Sequence, residues 1–115
     1  MDLRCQTNDG VLIANPGGRV DGVNSPMFES ALISAIESAD AAPVVLDCSE
    51  LSYISSAGMR AILLIAQMLE DQERQLAVCS LSEEIQDLFE ICGFDQVIGI
   101  NESLEQALGA IGNRG

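Results

Sequence analysis

Apolar and polar positions follow two different periods along the chain. From Leu3 to Thr7 the odd-numbered residues fall on one side of an extended segment, which is the period of a half-buried β-strand. Asp9-Gly10 predicts a two-residue hairpin turn into a second strand, "VLIAN", and the segment "PGGRVDGVNS" then predicts a loop. The start of the chain therefore predicts a β-hairpin.

Helical periodicity appears in four later segments. The first helix is predicted to begin at Ser25-Pro26 with Ser25 as its N-cap, since serine caps helices and proline fits the first turn. The second is predicted from about Ala57 to Asp71, and it is so apolar that the rest of the domain or a partner should cover it. "SEEIQDLFEICG", with Gly93 as its terminator, and "NESLEQALGAIG" predict the third and fourth helices.

Short apolar runs separate these helices and are typical of buried strands: "PVVLD", "QLAVCS" and "VIGI". The predicted order is β-β-α-β-α-β-α-β-α. This order indicates an α/β fold in which about four α-helices cover a mixed four- to five-stranded β-sheet. Because no repeat or linker divides the 115 residues, we expect a single domain over 1–115.

Charge and missing residue types narrow the possible functions. Eighteen acids and five arginines give a net charge of −13, which disfavours nucleic acid and anionic lipid as partners, although solubility alone also explains such a surface. The chain has no histidine and no lysine. This removes Ser-His-Asp and Cys-His nucleophile pairs and lysine-based chemistry, so we expect no enzyme and no catalytic residue.

Cysteine spacing and the longest apolar stretch indicate the compartment. The four cysteines have no C-x-x-C spacing, which favours reduced core thiols over a metal site: Cys5, Cys48, Cys79 and Cys92. "MDLRCQTNDG" lacks the apolar segment of a secretion signal, and "AILLIAQML" is far shorter than the roughly 20 residues of a membrane span. We expect a cytoplasmic protein with no metal, no cofactor and no membrane insertion.

Two adjacent hydroxyls precede the second helix in "YISSAGMRAILL". Ser56 stands at the predicted N-cap, and Ser55, Ala57 and Gly58 around it are all small. An early-helix glycine costs up to about 1 kcal/mol relative to alanine. Gly58 therefore indicates either tight packing of the helix start on the sheet or the close approach of another molecule to Ser56. The residues alone leave both interpretations open.

The segment "VVLDCSELSYISSAGMRAILL" resembles the signature of the STAS domain in the branch of anti-sigma factor antagonists, or anti-anti-sigma factors. "GRVDGVNSPMFESAL" and "AVCSLSEEIQDLFEICGFDQVIGINESLEQAL" are similar to the same family, so the resemblance covers nearly the whole chain. It implies that a partner kinase phosphorylates Ser56, with Ser55 as the alternative acceptor. Two positions depart from the family pattern, because Ser55 replaces its acid and Ala57 replaces its second hydroxyl residue.

The resemblance implies a partner switch. The unmodified protein would bind an anti-sigma factor that is a serine kinase with a histidine-kinase-like ATPase fold, and so release a sigma factor or another target. Phosphorylation of Ser56 would abolish binding, and a PP2C-type, metal-dependent phosphatase would restore it. In this view Gly58 and its small neighbours let the ATP of the kinase reach the Ser56 hydroxyl.

The resemblance also implies which residues contact the partner. The candidates are Asp21, Asn24, Ser55, Ser56, Ala57, Gly58, Met59 and Arg60. Asp47, which like Asp21 maps onto an acidic position flanking the phosphorylation site, would orient Ser56 or its loop. For both acids the alternative is a structural role in a turn or a helix cap. For Asn24 the alternative is a cap role, and for Met59 it is a position in the core.

Two other functions stay open. One is a STAS subunit of a lipid-trafficking ABC transporter, docked on the ATPase through the same helix without a phosphate cycle. The other is a nucleotide sensor, which the missing lysine and missing glycine-rich phosphate loop disfavour. The serine in the acceptor position favours the phosphorylated switch.

Overall fold

The computed structural model describes residues 2–112, which form six strands and four α-helices in the order β-β-α-β-β-α-β-α-β-α. The strands are β1 (Asp2–Asn8), β2 (Val11–Val20), β3 (Val44–Asp47), β4 (Leu51–Ile54), β5 (Leu76–Cys79) and β6 (Gly99–Asn101). The helices are α1 (Ser25–Ser38), α2 (Ser56–Asp71), α3 (Glu83–Ile91) and α4 (Leu104–Gly112), with a 3-10 turn at Phe94–Gln96 before β6.

The strands form one mixed sheet in the order β1-β2-β3-β5-β6, and β4 pairs with the distal half of β2. β1 and β2 are antiparallel, and the turn between them consists of Asp9 and Gly10, both with positive φ, as a tight hairpin requires. All other pairs are parallel. On the side away from β1, β2 pairs with β3 through residues 12–14 and with β4 through residues 18–20, and the β4 pairing contains a register shift between Gly18 and Arg19.

Helices cover both faces of the sheet. α1, α2 and α3 bury one face in an aliphatic core whose largest fully buried side chains include Phe28, Leu46, Ile62, Ile65 and Phe89. α4 covers the other face through a smaller cluster: Ile13, Val45, Ala77, Cys79, Ala107 and Ile111. The alternation of strand side chains thus assigns neighbouring residues of one strand to two separate cores.

The α/β class and the mixed sheet with four helices are confirmed, and the strand count is higher than predicted. β4 lies between "PVVLD" and the second helix, where the sequence pattern predicts no strand, because only its end residues Leu51 and Ile54 are buried and four residues carry little periodicity. β2 extends to Val20 through "PGGRV", which the sequence pattern predicts to be a loop. The sheet therefore has six strands.

Two further predictions need correction. Ser25 is the first residue of α1 and Asn24 holds the N-cap position, so Ser25 is not the cap. Cys48 and Cys79 are buried as expected, but Cys5 and Cys92 are exposed, so the prediction of four core thiols is wrong for these two. Within residues 2–112, no helix has both the length and the apolar character needed to cross a membrane.

Candidate functional site

Two loops meet where β2 and β4 end. Val20 and Ile54 are register partners in this parallel pair, so both strands end at the same edge of the sheet. The Ser55 N–H donates to the carbonyl oxygen of Val20 at 2.8 Å. The β2–α1 loop, which begins at Asp21, and the start of α2 therefore form one continuous surface.

Ser55 is the N-cap of α2. Its backbone is extended (φ −85°, ψ 172°), its Oγ accepts a hydrogen bond from the Gly58 N–H at 3.2 Å, and its carbonyl accepts from the Met59 N–H at 2.9 Å. The side chain is half-buried, so its hydroxyl is committed to holding the helix start. The cap predicted at Ser56 is therefore one residue away, at Ser55.

Ser56 is the first helical residue, and its side chain is exposed. Within residues 2–112 its hydroxyl makes no side-chain hydrogen bond, unlike that of Ser55. The backbone N–H groups of Ser56 and Ala57 belong to the first turn of the helix, where no helical carbonyl is available to them. The structure thus presents Ser56 as a free hydroxyl at the surface.

Gly58 packs against the sheet. A Cβ added to Gly58 would lie 2.7 Å from Cγ1 of Ile54 and 2.8 Å from Cγ1 of Val20, which is far inside van der Waals contact. Of the two interpretations of this glycine, tight packing of the helix start explains it, because the missing side chain points into the core. Gly58 is buried and Met59 is only 6% exposed, which favours the alternative of a core position for Met59.

The exposed residues around Ser56 combine a cation with apolar side chains. Ala57 and Arg60, both predicted as contact residues, are exposed on α2, and Leu64 is 48% exposed one turn further. From the adjoining loop and α1, which packs beside α2, Val23 is 89% exposed and Met27 58% exposed. We call this set the docking surface: Val23, Met27, Ser56, Ala57, Arg60 and Leu64.

Sequence reasoning missed Val23, Met27 and Leu64 as surface residues. The available signal was their position relative to the helical stripes, since the buried residues of α1 include Phe28 and Leu32, and Met27 lies off that stripe. Val23 follows Gly22 in a loop, where a large apolar side chain has no core to enter. Large exposed apolar residues on adjoining elements are typical of an interaction surface.

Asp21 and Asn24 stabilise the β2–α1 loop through hydrogen bonds within the loop. The Asp21 N–H donates to Asn24 Oδ1 at 2.8 Å, while Asp21 Oδ1 accepts from the N–H groups of Val23 (3.0 Å) and Asn24 (3.1 Å). Asn24 Nδ2 also donates to the Arg19 carbonyl at 2.8 Å. The N–H groups of Asn24 and Val23 lower the pKa of the Asp21 carboxyl. Both side chains thus stabilise the loop that carries Val23, which agrees with the alternative that Asp21 has a structural role in a turn.

Asp47 lies at the end of β3, is 8% exposed and makes no hydrogen bond to Ser56. Its Oδ1 accepts from the Ser49 N–H at 3.1 Å and its Oδ2 from Asn15 Nδ2 at 3.3 Å. By strand alternation Asp47 shares the face of Val45, which α4 covers, whereas α2 packs on the opposite face. Asp47 thus holds the start of the β3–β4 connection, and its role in orienting Ser56 or its loop stays a prediction.

The described residues contain no group of three or more cysteine, aspartate or glutamate side chains arranged to hold a metal ion. Burial raises the pKa of the Cys79 thiol to about 11 and also raises that of Cys48. These two cysteines are therefore neutral side chains of the two cores at physiological pH.

The chain belongs to the STAS domain family, whose model matches residues 2–107. It is 36% identical over 110 residues to BtrV of Bordetella bronchiseptica, which is named an anti-sigma factor antagonist; the match covers 96% of this chain and 94% of that protein.

Solved structures show the same fold. An anti-sigma factor antagonist from Mycobacterium paratuberculosis superposes with a TM-score of 0.85 at 22% identity, covering 96% of this chain and 92% of that one. The Bacillus cell fate determinant SpoIIAA in its phosphorylated form gives a TM-score of 0.73 at 14% identity, covering 96% and 99%. At these identities the likeness concerns the fold.

Proposed function

We propose that this chain is an anti-sigma factor antagonist of a partner-switching pathway, and that Ser56 is the residue on which its switch operates. The observation that carries the proposal is the contrast between the adjacent serines, since the Ser55 hydroxyl is bound to Gly58 while that of Ser56 is exposed. The name of the relative BtrV supports the role, and the phosphorylated form of SpoIIAA shows that a protein of this fold can carry the modification.

In the unmodified state the docking surface binds the anti-sigma factor, a serine kinase with a histidine-kinase-like ATPase fold. Val23, Met27 and Leu64 supply the apolar area, and Arg60 supplies a cation that can meet an acid of the partner. The net charge of −13 favours a partner whose remaining contact area is basic. Binding in this state releases the sigma factor or another target.

The phosphate cycle is carried out by the partners. The Ser56 Oγ attacks the γ-phosphorus of the kinase-bound ATP, the hydroxyl proton passes to a base of the kinase, and ADP leaves. A PP2C-type phosphatase then hydrolyses the phosphoester with water, which restores the hydroxyl and releases inorganic phosphate. This chain supplies the acceptor hydroxyl and the fold around it. It acts in the cytoplasm as a single non-catalytic domain over 1–115.

Phosphorylation changes binding far more than stability. A phosphoserine carries about −1.5 to −2 charges, which the N-terminal end of α2 tolerates or favours by roughly 0.3–1 kcal/mol. Inside an apolar interface the same group must lose its water, which costs several kcal/mol. Since about 1.4 kcal/mol is tenfold in affinity, a loss of about 4 kcal/mol weakens the complex roughly a thousandfold.

The test uses native cells. The tagged protein is purified, its phosphorylated residue is mapped by mass spectrometry, and co-purifying proteins are compared for wild type, Ser56→Ala and Ser56→Asp. We expect phosphate on Ser56, a kinase of the stated fold bound to wild type and Ser56→Ala, and loss of that kinase with Ser56→Asp.

Phosphate on Ser55 or elsewhere would defeat the assignment of the acceptor. Equal capture of the kinase by Ser56→Asp and wild type would defeat the mechanism. Capture of the ATPase of a lipid transporter, independent of the residue at position 56, would instead identify the chain as a transporter subunit.

A further inference from the structure

Arg60 is an isolated cation on the docking surface. It is exposed on α2, and within residues 2–112 no hydrogen bond or ion pair joins its side chain to another residue. In a chain with eighteen carboxylates, the Arg60 side chain thus stays unpaired within the described residues.

The other arginines that the structure describes are all engaged. Arg4 forms an ion pair with Glu50. Arg19 stacks on the Tyr53 ring, with its Cζ 4.2 Å from the ring centroid. Arg74 is buried and donates to main-chain carbonyls at and beyond the end of α1. Arg60 alone among these four has no side-chain partner, so its guanidinium is available to a new anion.

Ser56 and Arg60 are four residues apart on one helix, so their Cβ atoms lie about 5–6 Å apart on the same face. An anionic residue four positions before a cationic one is the favourable orientation of such a pair, because it also agrees with the helix dipole. The hydrogen bonds of the Asp21 carboxylate go to backbone N–H groups of its own loop and not to Arg60.

We infer that Arg60 is the intramolecular partner of a phosphoryl group on Ser56, an inference that rests on the proposed function. In the unmodified protein the guanidinium is available to an acid of the binding partner. Once Ser56 is phosphorylated, the phosphate oxygens accept its N–H groups. The modification thus adds a dianion to the docking surface and at the same time withdraws its cation.

The test installs phosphoserine at position 56 during translation, so that it needs no kinase. The second ionisation of the phosphate is followed by ³¹P NMR as a function of pH in the wild-type background and in Arg60→Gln, Arg60→Lys and Arg19→Gln. Arg19→Gln is the matched control, because it removes an exposed arginine that is occupied by Tyr53.

A cation paired with the phosphate favours its dianion. We therefore expect the pKa of the second ionisation to be lower in the wild-type background than in Arg60→Gln by about 0.3, the size of a helical i,i+4 ion pair. Arg60→Lys should keep part of this difference, about 1 M salt should remove most of it by screening, and Arg19→Gln should match wild type.

An unchanged phosphate pKa in Arg60→Gln, or an equal change in Arg19→Gln, would overturn the inference. Failure of the proposed function would show elsewhere, as the absence of phosphate from Ser56 in the protein purified from native cells. The two failures are therefore distinguishable.

Discussion

The Ser55 hydroxyl accepts a hydrogen bond from the Gly58 N–H at 3.2 Å, and this bond separates the roles of two adjacent serines. Ser55 faces the helix it caps, whereas Ser56, one residue later, faces solvent. A change at the first position should therefore affect folding, and a change at the second should affect regulation.

Ser55→Ala removes the cap and leaves the Gly58 N–H without its partner. We expect the free energy of unfolding to fall by about 1 kcal/mol, as for other N-cap serines replaced by alanine, while phosphorylation continues at Ser56. Urea denaturation and mass spectrometry of the phosphorylated protein measure the two effects. Ser56→Ala is the matched control and should change stability by less than about 0.5 kcal/mol. A larger loss in Ser56→Ala than in Ser55→Ala would reverse the assignment of the cap.

Gly58→Ala should destabilise the protein although alanine favours helices. The new Cβ would lie within 3 Å of the Cγ1 atoms of Val20 and Ile54, and since both side chains are buried, the core would have to shift to admit it. Overpacking of this kind costs about 1–3 kcal/mol, more than the roughly 1 kcal/mol gained in helix propensity. We expect a net loss of up to about 2 kcal/mol in urea denaturation.

Gly109→Ala in α4 is the matched control, because a Cβ there would meet nothing within 4 Å. It should raise stability by about 0.5–1 kcal/mol through helix propensity alone. If Gly58→Ala were as stabilising as Gly109→Ala, the helix start would not be packed as the structure shows.

Hydrophobic periodicity predicted the long helices and the hairpin, but it failed where contacts between distant segments determine the structure. The four helices and the hairpin at Asp9-Gly10 follow from local patterns that persist over many residues. β4 does not follow from a local pattern, because its pairing with β2 includes a register shift after Gly18 that the sequence around it does not predict. The cap moved from Ser56 to Ser55 because either serine satisfies the same local preference.

The candidate site was also predicted only in part, because local patterns determine some of its residues and tertiary contacts determine the others. The position of Ser56 at the start of an apolar helix was evident from the sequence, and Arg60 lies beside it as expected. Asp47 shares the face of Val45 by strand alternation, but only the tertiary structure decides that α4 covers this face. The exposure of Val23 depends on how the β2–α1 loop is braced.

Alkaline pH should weaken the fold through its buried thiols. Burial raises the pKa of Cys79 from its ordinary value of 9.0 to about 11, so the folded protein keeps a proton that the unfolded chain loses. The stability from this thiol is complete below about pH 9 and decreases between about pH 9 and 11, by up to about 1.4 kcal/mol per pH unit. Cys79→Ala should reduce this slope in urea denaturation, whereas the exposed Cys92→Ala should leave it unchanged. Equal slopes in all three proteins would contradict the assignment.

Met27→Ser should weaken partner binding without weakening the fold. Met27 is 58% exposed on the docking surface, so its replacement removes apolar contact area from the complex but nothing from the core. A side chain of this size contributes about 1–2 kcal/mol when an interface buries it, which corresponds to a loss of roughly tenfold in affinity. Titration calorimetry with the kinase identified in native cells gives the affinity, and urea denaturation gives the stability. Ile91→Ser is the matched control, since Ile91 is 81% exposed at the end of α3, outside the docking surface, and should bind as wild type does. If Ile91→Ser lost as much affinity as Met27→Ser, the partner would contact α3 and the docking surface would be placed incorrectly.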